Sequence, residues 1–191
     1  AFLHRNALGG DHLRALESAQ ATRVAAPGRT FGGFMRREGS PCTILYGSGT
    51  KAHKRDFRTL LEPALDRVAE TLRERVRIEL VGDFPPDGPL RRRDNVEIVE
   101  PAWDFGAWLG RVSRADVALS VLEPGPVADA KSEIKWLEAA IFGVPAVVSD
   151  TATLREVVED GRTGFLCRSA DEFADRITRL AKDPALRRRM G

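Results

Sequence analysis

From residue 42 to the end of this chain, short and largely apolar runs alternate with helical patterns, and that alternation leaves few folds open. The runs Cys42 to Tyr46, Val76 to Val81, Asn95 to Val99, Asp116 to Val121, Ala146 to Ser149 and Thr163 to Cys167 are short, largely apolar and read as strands. Helical patterns fall between them. Phe57, Leu60, Leu61, Ala64, Leu65, Val68 and Leu72 share one face, with Pro63 predicting a kink or break. Further helices are predicted from Asp104 to Val112, Lys131 to Phe142, Asp171 to Ala181 and Pro184 to Met190, and Thr153 and Glu156 have capping-box spacing for a short one. Apolar strands joined by helices imply a doubly wound α/β domain, a parallel sheet covered on both faces.

In such sheets ligands bind outside the carboxyl ends of the strands, which predicts a site among Gly47 to Lys54, Gly82 to Pro86, Glu100 to Trp103, Glu123 to Lys135 and Ser149 to Thr153. The segment Lys131 to Phe142 starts at that edge and is ended by Gly143. At about 100° per residue, Lys131, Lys135 and Glu138 fall in one narrow sector, beside an apolar stripe of Ile134, Leu137 and Ile141. Two cations and a carboxylate on a mostly apolar helix suit a polyhydroxylated, phosphorylated ligand, since lysines and helix amides take phosphate and a carboxylate accepts from hydroxyls. A surface ladder of ion pairs is the alternative.

Composition narrows the function classes. The 191 residues, 42% of them hydrophobic, suffice for one good core with an added segment, so residues 1–40 are read as an N-terminal segment or linker and 41–191 as the domain. Within the first part, Asp11 to Gln20 has a helical pattern and Pro27 to Pro41 reads as a loop. The opening Ala1-Phe2-Leu3 has neither an initiator Met nor a signal-peptide core, an expectation of excision from a longer protein and of a cytoplasmic setting. A net charge of +2, with acids interspersed, argues against nucleic acid as a partner; Arg91-Arg92-Arg93 and Arg187-Arg188-Arg189 are read as solvated charge. No apolar run is long enough to cross a bilayer. Cys42 and Cys167 lie in apolar runs and are read as reduced core residues, and His4, His12 and His53 lack metal-ligand spacing.

Gly47-Ser48-Gly49-Thr50-Lys51-Ala52 satisfies the letter of the dinucleotide fingerprint, but the helical pattern does not open at once, the position of the expected acid falls inside the first helix, and the first acid after the second strand, Asp83, comes much later. A Gly-rich loop carrying Lys51, His53 and Lys54 still makes a phosphate-facing edge. The chain has no G-x-x-x-x-G-K-[ST] phosphate loop and no G-x-S-x-G elbow.

The stretch Lys131-Ser132-Glu133-Ile134-Lys135-Trp136-Leu137-Glu138-Ala139-Ala140-Ile141-Phe142-Gly143-Val144-Pro145, followed by Arg155-Glu156-Val157-Val158-Glu159-Asp160-Gly161-Arg162-Thr163-Gly164-Phe165-Leu166, resembles the donor-binding half of retaining glycosyltransferases of the GT-B fold. The similarity runs on through Asp183-Pro184-Ala185-Leu186-Arg187 and back through Leu80-Val81-Gly82-Asp83 to Tyr46-Gly47-Ser48-Gly49-Thr50. It implies a Rossmann-like domain, a nucleotide-diphosphate sugar as donor substrate with no separate cofactor or metal, and hexosyltransferase-type transfer to a glycan. By that resemblance Glu138 matches the second of two spaced glutamates and bonds the ribose. The first would fall on Ala130, so this chain departs from the pattern at sugar recognition. Lys131 and Lys135 become the catalytic cations, and Ser132 with the amides at Glu133 and Ile134 faces the diphosphate. Gly49, Thr50 and one or more of Lys51, His53 and Lys54 line the phosphate side, and Trp103 is a stacking face for the base. The resemblance also implies a missing N-terminal GT-B domain as partner, a parent protein that associates peripherally with membrane, and an isolated chain that transfers little. A noncatalytic nucleotide-binding module and a nucleotide-sugar epimerase domain share this architecture and remain open.

Overall fold

A computed structural model describes residues 39–48, 54–101 and 104–191. Six strands form one all-parallel sheet: β1 (Cys42–Ser48), β2 (Val76–Gly82), β3 (Val96–Val99), β4 (Val117–Ser120), β5 (Ala146–Ser149) and β6 (Phe165–Cys167). Their spatial order is β3-β2-β1-β4-β5-β6. Ile44 sits beside Ile78 on one side and Val117 on the other, so β1 is central. The order reverses between β1 and β4, which makes that junction the topological switch point of the doubly wound sheet.

Both faces of the inner strands are covered, so β1, β4 and β5 read as nearly unbroken apolar runs, whereas β3 at the sheet edge has no buried residue and β2 beside it exposes Arg77. Ile44, Tyr46, Ile78, Leu80 and Val147 point to a core shared with Phe57, Leu61, Leu65, Phe173 and Ile177; Leu45, Val81 and Val148 point to the opposite core with Leu109, Ala139, Phe142 and Leu154. Adjacent strand residues thus serve opposite cores, as the two-residue period demands. Cys42 and Cys167 are buried with free thiols, and burial pushes the Cys167 thiol up to about 12.

The helices follow the sequence pattern with instructive differences. The first helical segment opens at Lys54–Asp56, passes through a π-helical turn at Phe57–Leu61 and continues as α1 (Glu62–Leu72). Pro63 does not break the helix, which runs on through it; the irregularity expected there falls in the π turn just before it, over the turn whose carbonyls have no proline N–H to accept from. Next come α2 (Phe105–Val112), whose N-cap Asp104 accepts from the Gly106 amide at 2.8 Å, and the single turn α3 (Pro126–Asp129). The helix expected from Lys131 to Phe142 is shorter, α4 (Ile134–Ile141). Lys131 instead closes the preceding turn, its amide donating to the Ala128 carbonyl at 3.1 Å. Gly143, at φ +62°, takes the left-handed conformation that ends α4 and turns the chain into β5. In α5 (Ala152–Val157) the cap is Thr151, whose hydroxyl accepts from Leu154; Thr153, expected to cap, donates to the Asp129 carbonyl at 2.8 Å. Two further helices, α6 (Ala170–Lys182) and α7 (Pro184–Met190), are capped by Ser169 and Asp183. No helix among the described residues is long and apolar enough to cross a membrane.

Candidate functional site

The carboxyl end of β1 collects the polar side chains of α4. Lys135 turns inward and donates from Nζ to the Gly47 carbonyl at 2.7 Å, with the ammonium 5.3 Å from the centre of the Tyr46 ring. Tyr46 is held edge-on to Phe84 and stacked on Phe57, so the π turn that places Phe57 also stiffens the floor under Lys135. Desolvation lowers the Lys135 ammonium to about 8, opposed by the nearby carboxylates Glu138 and Asp56. Burial pushes the Tyr46 phenol far up, and its hydroxyl has no hydrogen-bond partner in the structure.

One turn further along α4, Glu138 is only 6% exposed, whereas Ile134, Leu137 and Ile141 are half-buried. The surface-ladder alternative fails on this point: the carboxylate lies deeper than the apolar stripe beside it. Its Oε2 accepts from the Trp108 indole at 2.8 Å. The Trp108 ring in turn lies against Gly47, where an added Cβ would collide with ring carbons Cζ3 and Cη2. Gly47, Trp108, Lys135 and Glu138 therefore form one assembly at the switch point. It pairs a desolvated cation with a buried carboxylate at the sheet edge where ligands bind.

The other expected residues divide. Lys131 is exposed and lies off α4, so it no longer shares the helical sector of Lys135 and Glu138; Ser132, Glu133 and Ile134 are half-buried, with Glu133 as N-cap. Lys54 opens the helical segment at the same edge. Gly49, Thr50, Lys51, His53 and Trp103 lie outside the described residues, as do the helix expected at Asp11 to Gln20 and most of the loop expected from Pro27 to Pro41. Ala130 ends the α3 turn. Across the edge, Arg55 bonds Glu123 at 2.9 Å and ties the segment after β1 to the loop after β4. No cluster of three metal-ligating side chains occurs among the described residues.

Trp108 was not among the candidates drawn from sequence. Its signal was present: a half-buried indole N–H needs an acceptor, and a glycine ending a central strand leaves room for a large ring. What the sequence lacked was the pairing of β1 with β4, which brings α2 and α4 together over Gly47.

An open parallel sheet with charged side chains at its switch point defines a doubly wound α/β domain of the class that binds ligands at that edge. Residues 41–183 match the family model for glycosyl transferases group 1, and the chain belongs to that family. No curated protein sequence matches it significantly. Among solved structures, it superposes on a mutant of S. aureus TarM in complex with fondaparinux, alpha-GlcNAc-glycerol and UDP, with TM-score 0.62 and 16% identity over 85% of this chain and 33% of TarM. *Anabaena* HepE in complex with UDP gives 0.58 and 19% over 79% of this chain and 42% of HepE. WaaG, a glycosyltransferase of lipopolysaccharide biosynthesis, gives 0.56 and 17% over 91% and 43%. The chain thus spans well under half the length of these proteins and has the fold of one half of a GT-B glycosyltransferase.

Proposed function

We propose that this domain binds the nucleotide-diphosphate sugar of a retaining, hexosyltransferase-type glycosyltransferase that acts on a glycan. The observation that carries the reading is the placement of Lys135 and a buried Glu138 on one helix at the end of β1. Glu138 accepts from ribose hydroxyls. Lys135 and Lys131, with the amides around Ser132, Glu133 and Ile134, face the diphosphate. Gly49, Thr50, Lys51, His53 and Lys54 complete the phosphate side, and Trp103 meets the base. The complexes of TarM and of HepE with UDP support a nucleoside diphosphate as ligand class.

The physical mechanism follows from where charge develops. As the bond from sugar to diphosphate breaks, negative charge grows on the leaving phosphate while the sugar gains oxocarbenium character. A fixed cation stabilises that state more than the ground state, so no metal or other cofactor is needed in this reading. An ammonium has three N–H donors; the bond to Gly47 O aims Lys135, and the diphosphate takes another. A second GT-B domain supplies the acceptor site and excludes water, and the isolated chain binds nucleotide weakly and transfers little sugar. The parent protein acts in polysaccharide synthesis in the cytoplasm, at the membrane periphery.

Titration calorimetry with UDP and GDP, on wild type, Glu138→Ala and Lys135→Ala, tests the reading. Binding to wild type that both substitutions weaken supports it. Binding of neither nucleotide to wild type at about millimolar concentration overturns it.

A further inference from the structure

We infer that Trp108 is a positioning residue that fixes the Glu138 carboxylate for a ribose, so that this domain selects ribonucleoside diphosphates over analogues that lack both ribose hydroxyls. The inference rests on the reading of Glu138 as the ribose ligand. The terminal torsion of a glutamate is broad, so a neighbouring group must decide the plane of its carboxylate. Among the described residues the Trp108 indole takes this part, reaching Oε2 at 2.8 Å from a different helix. An indole N–H only donates; it cannot take a proton from the carboxylate or replace it as an acceptor. Its charge-assisted bond offsets part of the cost of holding an ionised group at 6% exposure.

The ring itself is fixed. It lies on Gly47 at a distance that leaves no room for a Cβ, and the Gly47 carbonyl holds Lys135. The wedge therefore gives the ribose-side carboxylate and the phosphate-side cation a common reference at the end of β1. Trp108 also belongs to α2, which begins just beyond the loop after β3. A ribose that reaches Glu138 therefore meets a carboxylate held from a second helix.

The experiment titrates UDP and 2′,3′-dideoxy-UDP into wild type, Trp108→Phe and Glu138→Ala. Wild type is expected to favour UDP, and Trp108→Phe to lose roughly tenfold of that preference, the weight of one hydrogen bond to a charged group, while its affinity for the dideoxy analogue holds. Equal weakening for both ligands, or a preference unchanged in Trp108→Phe, overturns the inference. If UDP binds wild type but Glu138→Ala leaves the preference intact, the reading of Glu138 fails, and the inference with it. Should Trp108→Phe not fold, the wild-type chain decides: its Trp108 indole proton resonance is expected to shift with UDP and not with the dideoxy analogue, and an equal shift with both overturns the inference.

Discussion

Lys135 and Gly47 are 88 positions apart in sequence, yet the ammonium of one donates to the carbonyl of the other at 2.7 Å. The bond joins α4 to the central strand, and it draws the lysine away from solvent onto the Tyr46 ring. A cation so placed is costly to keep charged, which makes its protonation sensitive to an arriving anion.

Binding of UDP should therefore take up protons near pH 8. Desolvation holds Lys135 at about 8 without ligand, and a diphosphate favours the charged form, raising that value. Affinity is expected to fall as pH rises past about 8, and the calorimetric heat to vary with buffer ionisation enthalpy there. For folding the sign is opposite to that of a stabilised lysine. The unfolded chain binds this proton more tightly, so between about 8 and the ordinary lysine value stability should rise with pH. Lys135→Met should remove both slopes.

Gly47→Ala tests the wedge from its other side. The new methyl meets the Trp108 ring, so either Trp108 leaves Glu138 or β1 shifts against α2. Overpacking of this kind costs about 1–3 kcal/mol, and a lower urea midpoint at unchanged slope is the expected readout. UDP affinity should fall with it, because Glu138 loses its indole donor.

The parallel sheet and its edge were legible in sequence because apolar runs bounded by turns report burial on both faces, as Ile44 with Leu45 and Val147 with Val148 illustrate. The start of α4 was not. Periodicity joined Lys131 to Ile134, whereas the Asp129 side chain accepts from Ala152 and its carbonyl from Thr153, anchoring a separate turn that no local pattern encodes. The inward course of Lys135 likewise depends on a carbonyl contributed by β1, and the depth of Glu138 on a ring contributed by α2. Spacing placed these two residues on one helix face; only the sheet order decides what that face meets.

Glu62 is a structural carboxylate whose removal should loosen one loop. It is nearly buried, and its Oε1 accepts from the Asp87 and Gly88 amides at 3.0 and 2.8 Å, pinning the crossover between β2 and β3 to α1. Glu62→Ala leaves two amides short of their acceptor, a cost of about 1–3 kcal/mol. Hydrogen exchange should show the amides of Asp87 and Gly88 losing protection while those of β1 keep theirs, since the core of the sheet is untouched.

Asp150 should dominate the acid limb of stability. It follows β5 at 8% exposure, where burial alone would raise its carboxyl, but hydrogen bonds and charge from Arg155 and Arg168 outweigh that and hold it below the ordinary value. A depressed carboxyl contributes stability that is complete above the unfolded value of about 3.9 and is lost as pH falls through the lower folded one. Below that range two arginines crowd one neutral acid. Asp150→Asn is expected to destabilise the domain at pH 7, because the arginines lose their counter-charge. It should also flatten the fall in melting temperature as pH drops below about 4. Parallel acid curves for wild type and variant would show that the Asp150 pairs carry no net stability. A flattened curve assigns the acid limb to this one buried carboxylate and its two exposed partners.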